Sequence, residues 1–205
     1  MADVQTLVFE APGREEEAAR ADFYGLLASL FGAPPSQQLL DRIAAADRQA
    51  GGALDAAWAE LVDAARRTDA ATVRDEYELL FIGVGKPEVM LYGSYYLSGF
   101  LMEKPLVALR DDLAALGLRR PVTVAETEDH LAALCEVMRH LILSDDVVAA
   151  GLASQKRFFG THLQPWAETF CTTLEAHPQA RFYAAAARLA HGFFDIEMQA
   201  FDLFG

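Results

Sequence analysis

Glu126, Glu128, Asp129 and His130 crowd together just ahead of the apolar stripe of TEDHLAALCEVMRHLI, residues 127–142. Carboxylates beside an imidazole can exchange protons, hold a metal or receive a cation, so the cluster is the first candidate for chemistry. Read locally, the acids complement the dipole of a helix's first turn, with Thr127 as its cap. That leaves His130 unexplained. At spacings of four, three and four, His130, Leu134, Val137 and Leu141 line one flank, which places the imidazole at the edge of a buried face. Carboxylates there suit a guanidinium and the flank suits an apolar peptide, so the cluster reads as a recognition corner.

A second candidate is MLYGSYYLSGF, Met90 to Phe100, where Tyr92, Tyr95, Tyr96 and Phe100 crowd a glycine-punctuated connection. Such aromatics either pack over a core or form a groove wall that grips an extended or helical apolar segment. Other chemistry finds no support. None of the five histidines has Glu three residues before it, which removes a ferritin-like diiron site, and HExxH, EF-hand and GxSxG patterns are absent. GVGK, Gly83 to Lys86, is followed by Pro87 where a phosphate loop needs Ser or Thr. His140, His162, His177 and His191 are scattered singly, as surface or satisfied core residues are. No nucleophile, base and orienter assemble, so neither enzymatic activity nor a metal or other cofactor is expected.

The elements that must position these residues read as helices. Phe23, Leu26, Leu27, Leu30 and Phe31 form one face behind Glu15, Glu16 and Glu17, and Gly32 with Pro34-Pro35 ends that helix. Amphipathic segments follow near Leu39–Ala46 and Leu54–Ala65, then one carrying Val73, Tyr77, Leu80 and Phe81. The pattern breaks over about 83–103. It resumes at Pro105 with Leu106, Leu109, Leu113 and Leu116, and again with Leu131, Leu134, Cys135, Met138, Leu141 and Ile142. Ser144 offers a cap for a helix opening on Asp145 and Asp146, and Pro165 starts another carrying Trp166, Phe170 and Leu174. In the last helix Phe182, Ala186, Leu189, Phe193 and Ile196 are flanked by Tyr183, Ala187, Ala190 and Phe194, a face wide enough for the centre of a bundle. The expected architecture is one all-α domain over 1–205 with an irregular aromatic loop in its middle.

Composition narrows the partners. With 53% hydrophobic residues the chain buries a substantial core, and a net charge of −13 repels nucleic acid and anionic lipid while favouring a basic partner. Cys135 and Cys171 lie on apolar stripes without a Cys or His companion and read as small buried hydrophobes of a reducing compartment. The amino terminus lacks a basic leading region and no long uncharged apolar run follows. A cytoplasmic protein without stable membrane insertion is expected.

YELLFIG, the aromatic loop with GSYY, then ETEDHLAALCEVM, then FFGTHLQPWAETF follow one another in the order of the signature blocks of the TorD/DmsD family of redox-enzyme maturation chaperones, which this chain resembles. The resemblance implies that family's all-α fold and a cytoplasmic, non-enzymatic chaperone. Its partner would be the twin-arginine leader and apo form of a molybdenum or tungsten oxidoreductase subunit, held back from export until cofactor insertion and folding are complete. It implies a monomer or a domain-swapped dimer. Asp129 and His130 match the family's Asp-His pair, Ser94 and Tyr96 its Ser-x-aromatic element, and Tyr92 the aromatic just before it. With Glu126 and Glu128 these are the expected leader-binding residues. FIGVGKPEVMLYGS departs from the family's Gly-Pro start, and an expected Trp after the glycine is absent. Composition alone also fits a small-molecule-binding or regulatory helical domain.

Overall fold

The structure, a computed structural model, describes residues 13–49, 52–123, 125–144 and 151–203. Among these residues it contains ten α-helices and no strand beyond a single isolated bridge. Helix α1 (Arg14–Gly32) opens where the Gly13 N–H donates to Glu16 at 2.8 Å and ends just before the Pro34-Pro35 pair. Helix α2 (Gln37–Ala45) is capped by Ser36, and α3 (Asp55–Ala65) packs back on it. Helix α4 (Ala70–Tyr77) is capped by Asp69 and widens into a π turn at Glu78–Ile82, closed by the Gly83 N–H donating to the Glu78 carbonyl.

The stretch expected to be irregular over 83–103 holds a short helix, α5 (Gly93–Ser98). Local sequence hid it because its first N–H groups are satisfied from elsewhere in the chain. Then come α6 (Lys104–Ala115), with Pro105 in its first turn, α7 (Leu131–Leu143), α8 (Leu152–His162), α9 (Gln164–Glu175) and α10 (Phe182–Leu203). The expected helix start on Asp145 and Asp146 lies outside the described residues. No helix among those described is long and apolar enough to cross a membrane.

The apolar stripes go where burial sends them. All six stripe residues of α7, from Leu131 to Ile142, are buried, as are Trp166, Phe170 and Leu174 of α9. Helix α10 is buried along most of its length, with Ile196 an exception at the edge of its face. It packs against α9, α3 and α1, while α1 makes its broadest contact with α7. Aromatic edges fill the gaps: Tyr24 meets Phe193 edge-on at 4.8 Å, and Phe81 meets Tyr183 at 4.9 Å. Cys135 and Cys171 are buried within this core, and burial pushes both thiols up.

Two carboxylates tie α10 to the rest. Glu197, almost wholly buried, accepts two bonds from the Arg20 guanidinium at 2.6 and 2.7 Å and one from the Tyr24 hydroxyl at 2.9 Å. Paired and hydrogen-bonded in this way, its charge is tolerated in the interior. At the other end, the Glu76 carboxylate of α4 accepts the backbone N–H groups of Arg181, Phe182 and Tyr183 at 2.8, 3.2 and 2.9 Å. These are donors that a helix start leaves unsatisfied, and here another helix caps them. Glu76→Ala is expected to cost about 1–2 kcal/mol, the loss of a good cap, and Glu76→Gln less. Urea denaturation of the three proteins measures the difference; an unchanged midpoint in the alanine variant would remove Glu76 from the account.

Candidate functional site

The recognition corner forms where the aromatic connection meets the start of α7. Tyr92 and His130 form the isolated antiparallel bridge: the Leu131 N–H donates to the Leu91 carbonyl at 2.8 Å, and the Gly93 N–H to the Asp129 carbonyl at 3.0 Å. This pairing draws residues 126–130 out of the helix. Thr127 is therefore not the cap and the acids are not in the first turn, contrary to the local reading. His130 is the cap, its Nδ1 accepting the Ala132 N–H at 3.2 Å. An Nδ1 that accepts belongs to a neutral ring protonated on Nε2.

Asp129 is 4% exposed and fully engaged. One oxygen accepts the Ser94 N–H at 2.9 Å, capping α5, and the other accepts the Thr127 hydroxyl at 2.6 Å. Ser94 is buried and its hydroxyl accepts the Met102 N–H at 3.3 Å. The Tyr92 ring stands edge-on to the His130 ring at 5.0 Å. Tyr96 stacks on Trp166 at 5.3 Å and donates its hydroxyl to the Met90 carbonyl. The indole in turn donates to the His162 carbonyl at 2.7 Å and lies so close to α5 that a Cβ at Gly93 would stand 2.8 Å from its Nε1. Only glycine lets α5 approach Trp166 this closely. Tyr92, Ser94, Asp129 and His130 are thus brought together, while Tyr96 supports them from behind.

Beside this corner runs a groove of about 570 Å³ between the carboxyl-terminal half of α1 and the amino-terminal half of α7. Small residues make its floor, Ala28 and Gly32 from α1 with Ala132 and Ala133 from α7, and Val137, Leu113 and Leu118 add apolar wall. His130 closes one end and Glu126, Glu128 and Glu136 stand along it, with Arg119 and Arg120 from the α6–α7 connection. Glu126 is exposed, and among the described residues no ion pair involves it. Sequence reasoning placed the acids and His130 here but missed the floor. The available signal was the spacing of small residues in GLLASLFG, where Ala28, Ser29 and Gly32 share one face of α1 and leave little side chain to fill the space over α7.

Away from the groove, Asp112 of α6 accepts Arg157 at 2.7 Å and lies 2.8 Å from His162 Nε2, joining α6 to α8; its oxygens are occupied by structural contacts. Among the described residues no group of three or more His, Cys, Asp or Glu side chains is placed to hold a metal. What the corner and groove can do is bind: an apolar bed, carboxylates along it and an aromatic edge at one end.

Burial pushes the His130 imidazole down from its ordinary 6.5 to about 4, against the opposing pull of Glu126 and Asp129. Unfolded chain takes up that proton first, so the stability contributed is complete above pH 6.5 and is lost as the pH falls toward 4. His130→Asn, which keeps a capping acceptor, is expected to flatten stability across that window by on the order of 1 kcal/mol per pH unit. His162, also pushed down by burial, retains part of the slope. Chemical denaturation at stepped pH tests this, and an unaltered slope in the variant would contradict it. At Asp129 the carboxylate's structural work predicts that Asp129→Ala loses about 1–3 kcal/mol, whereas Asp129→Asn, able to keep both bonds, loses less. Equal losses in thermal melts would be inconsistent with the two bonds as described.

The fold resembles that of a chain from Archaeoglobus fulgidus described as a candidate redox enzyme maturation protein, with a TM-score of 0.56 over 93% of this chain and 99% of that one, at 19% identity. The two chains therefore share an all-α fold. The profile of the nitrate reductase delta subunit family matches residues 47–172, and this chain belongs to that TorD-like family. Curated relatives are named chaperone protein TorD. Those from Vibrio cholerae serotype O1 are 31% identical over 133 residues, 60% of this chain and 59% of theirs. One from Aliivibrio fischeri is 24% identical over 200 residues, 88% of this chain and 93% of its own. The match to the Vibrio cholerae proteins spans less than two thirds of their length.

Proposed function

We propose that this protein is a cytoplasmic maturation chaperone, without enzymatic activity, that holds the basic leader and the immature body of a molybdenum or tungsten oxidoreductase subunit until cofactor insertion and folding are complete. The observation that carries the reading is the groove, apolar along its floor and carboxylate-bearing along its rim, running up to the Tyr92–His130 clasp. A twin-arginine leader is basic at one end and apolar beyond it, and the groove offers the complement of both. The two blocks singled out for leader binding divide the work. Glu126, Glu128 and Glu136 face the groove, whereas Asp129, Ser94 and Tyr96 hold the corner in shape and Tyr92 packs on His130.

Apolar contact must supply most of the affinity. A micromolar complex needs about 8 kcal/mol, and an exposed ion pair contributes about 0.2–1. The charges then decide which end of the leader lies at the rim. A second reading, a small-molecule-binding domain, draws on the groove's size, since about 570 Å³ falls within the usual span of ligand pockets.

The test is capture of partners from the protein's own cytosol on the tagged chain, with mass spectrometry, beside a Glu126→Gln, Glu136→Gln variant that leaves the core untouched. The expected result is enrichment of one oxidoreductase subunit with its leader uncleaved, reduced a few-fold in the variant. Capture of no leader-bearing oxidoreductase, together with a metabolite retained through purification, would move the ligand-binding reading to the front.

A further inference from the structure

Helix α6 turns Leu106, Leu109 and Leu113 into the core, while its opposite face carries Lys104, Val107, Ala108, Asp111 and Ala115 at spacings of three and four, all exposed. Three of those residues are apolar, on the side of a helix that water usually claims. The apolar surface continues past the amino end of the helix, where Phe100 is 71% and Met102 70% exposed, with Leu101 between them. That loop is held in place. The Met102 N–H donates to the Ser94 hydroxyl at 3.3 Å, and the Ser98 hydroxyl bridges the Ser94 and Phe100 carbonyls at 2.7 and 3.1 Å. Met102 stands at φ 60°, a conformation that disfavours any residue with a Cβ, so these bonds hold the loop against a backbone preference.

Lys104 and Asp111 lie about 10 Å apart along the axis, too far to pair within one helix. Among the described residues no ion pair involves either of them. Turned end for end, however, the face is its own complement. A two-fold axis between Val107 and Ala108 sets Lys104 of each copy against Asp111 of the other. It also sets the bulky Phe100 and Leu101, at the amino end of one helix, beside the small Ala114 and Ala115 at the carboxyl end of the other. Ala108 at the crossing lets the two axes approach closely.

We infer that this face of α6, with the Phe100–Met102 loop, is the contact of a symmetric homodimer in which no element is exchanged between copies. Charge and bulk both select a second copy as the occupant. A surface shaped for a strongly charged partner carries one sign; this one carries one of each, at the two positions that a two-fold axis brings together. Two chains of net charge −13 repel at a distance, but at physiological salt that repulsion is screened beyond about 8 Å, and within the contact the charges balance. One helix crossing and one loop fall short of the roughly 1,600 Å² of a standard interface, so the dimer is reversible and weaker than about 1 μM. The client reading above neither requires this contact nor fails with it.

Sedimentation velocity of the full chain from about 1 to about 500 μM measures the association. Lys104→Glu, and separately Asp111→Lys, are expected to weaken the dimer about tenfold, because two cross-copy attractions become repulsions, and the double variant should recover most of the loss. Phe100→Ser should weaken it about tenfold or more. All three side chains are exposed, and unchanged circular dichroism confirms the fold. Ala108→Cys, next to the axis, should oxidise to a covalent dimer, whereas Gln38→Cys, exposed on α2, should not; Cys135 and Cys171 are buried and do not compete. A wild type that stays monomeric over the whole range overturns the proposal and leaves the face to another partner. A dimer that neither charge reversal nor Phe100→Ser weakens refutes it equally, since its contact then lies elsewhere in the chain.

Discussion

Two backbone hydrogen bonds, Leu131 to Leu91 and Gly93 to Asp129, set the geometry on which the site depends. They join two segments that share no other ladder among the described residues, and a bridge so narrow has no register of its own to enforce. The register comes from the Asp129 side chain, which reaches 35 residues back in sequence to the Ser94 N–H while the Thr127 hydroxyl steadies it. Once that carboxylate is placed, His130 becomes the first residue before α7, α5 starts at Gly93, and Tyr96 meets Trp166 face to face. The groove's floor follows, because the height at which α7 begins decides how Ala132 and Ala133 lie over Ala28 and Gly32.

The acids that frame the site divide into two populations. Glu76, Glu197, Asp112 and Asp129 turn inward, each receiving two or more donors from side chains or from a helix start. They replace local caps and anchor helices from a distance. Glu126 and Glu136 remain exposed at the groove, and Glu128 stands between the populations, partly buried and partnered by arginines. Salt therefore acts on the two groups differently: screening weakens the exposed rim and leaves the sheltered anchors nearly unaffected.

This division explains what could be read from the amino-acid sequence. The stripes of α7, α9 and α10 were legible because burial imposes the helical period on the residues themselves, and Pro105 and Pro165 marked the starts of α6 and α9. The structure brings Asp129, His130, Tyr92 and Ser94 together, four residues that the resemblance drew from two separate stretches of the chain. What failed was the start of α7, where acids before a helix mimic a first turn and the competing interaction comes from Leu91. Helix α5 was hidden for the same reason: its capping acid belongs to another segment. The groove floor was missed because alanine signals helix, and the spacing of Ala28, Ser29 and Gly32 does not by itself tell a small residue that fills a gap from one that leaves it open.

The position of α10 bears on how the molecule is made. Its apolar face occupies the middle of the bundle, yet it follows every other described helix in the chain and its start is capped by Glu76, 107 residues before Tyr183. During synthesis, at roughly 5–20 residues per second, α1 to α9 emerge with the central helix still missing. For those seconds Tyr24, Phe31 and Phe81 lack the rings of Phe193 and Tyr183 that they meet in the folded chain. A protein of this design is itself dependent, at birth, on a cell that tolerates exposed core, and it closes only when its final described helix has cleared the ribosome.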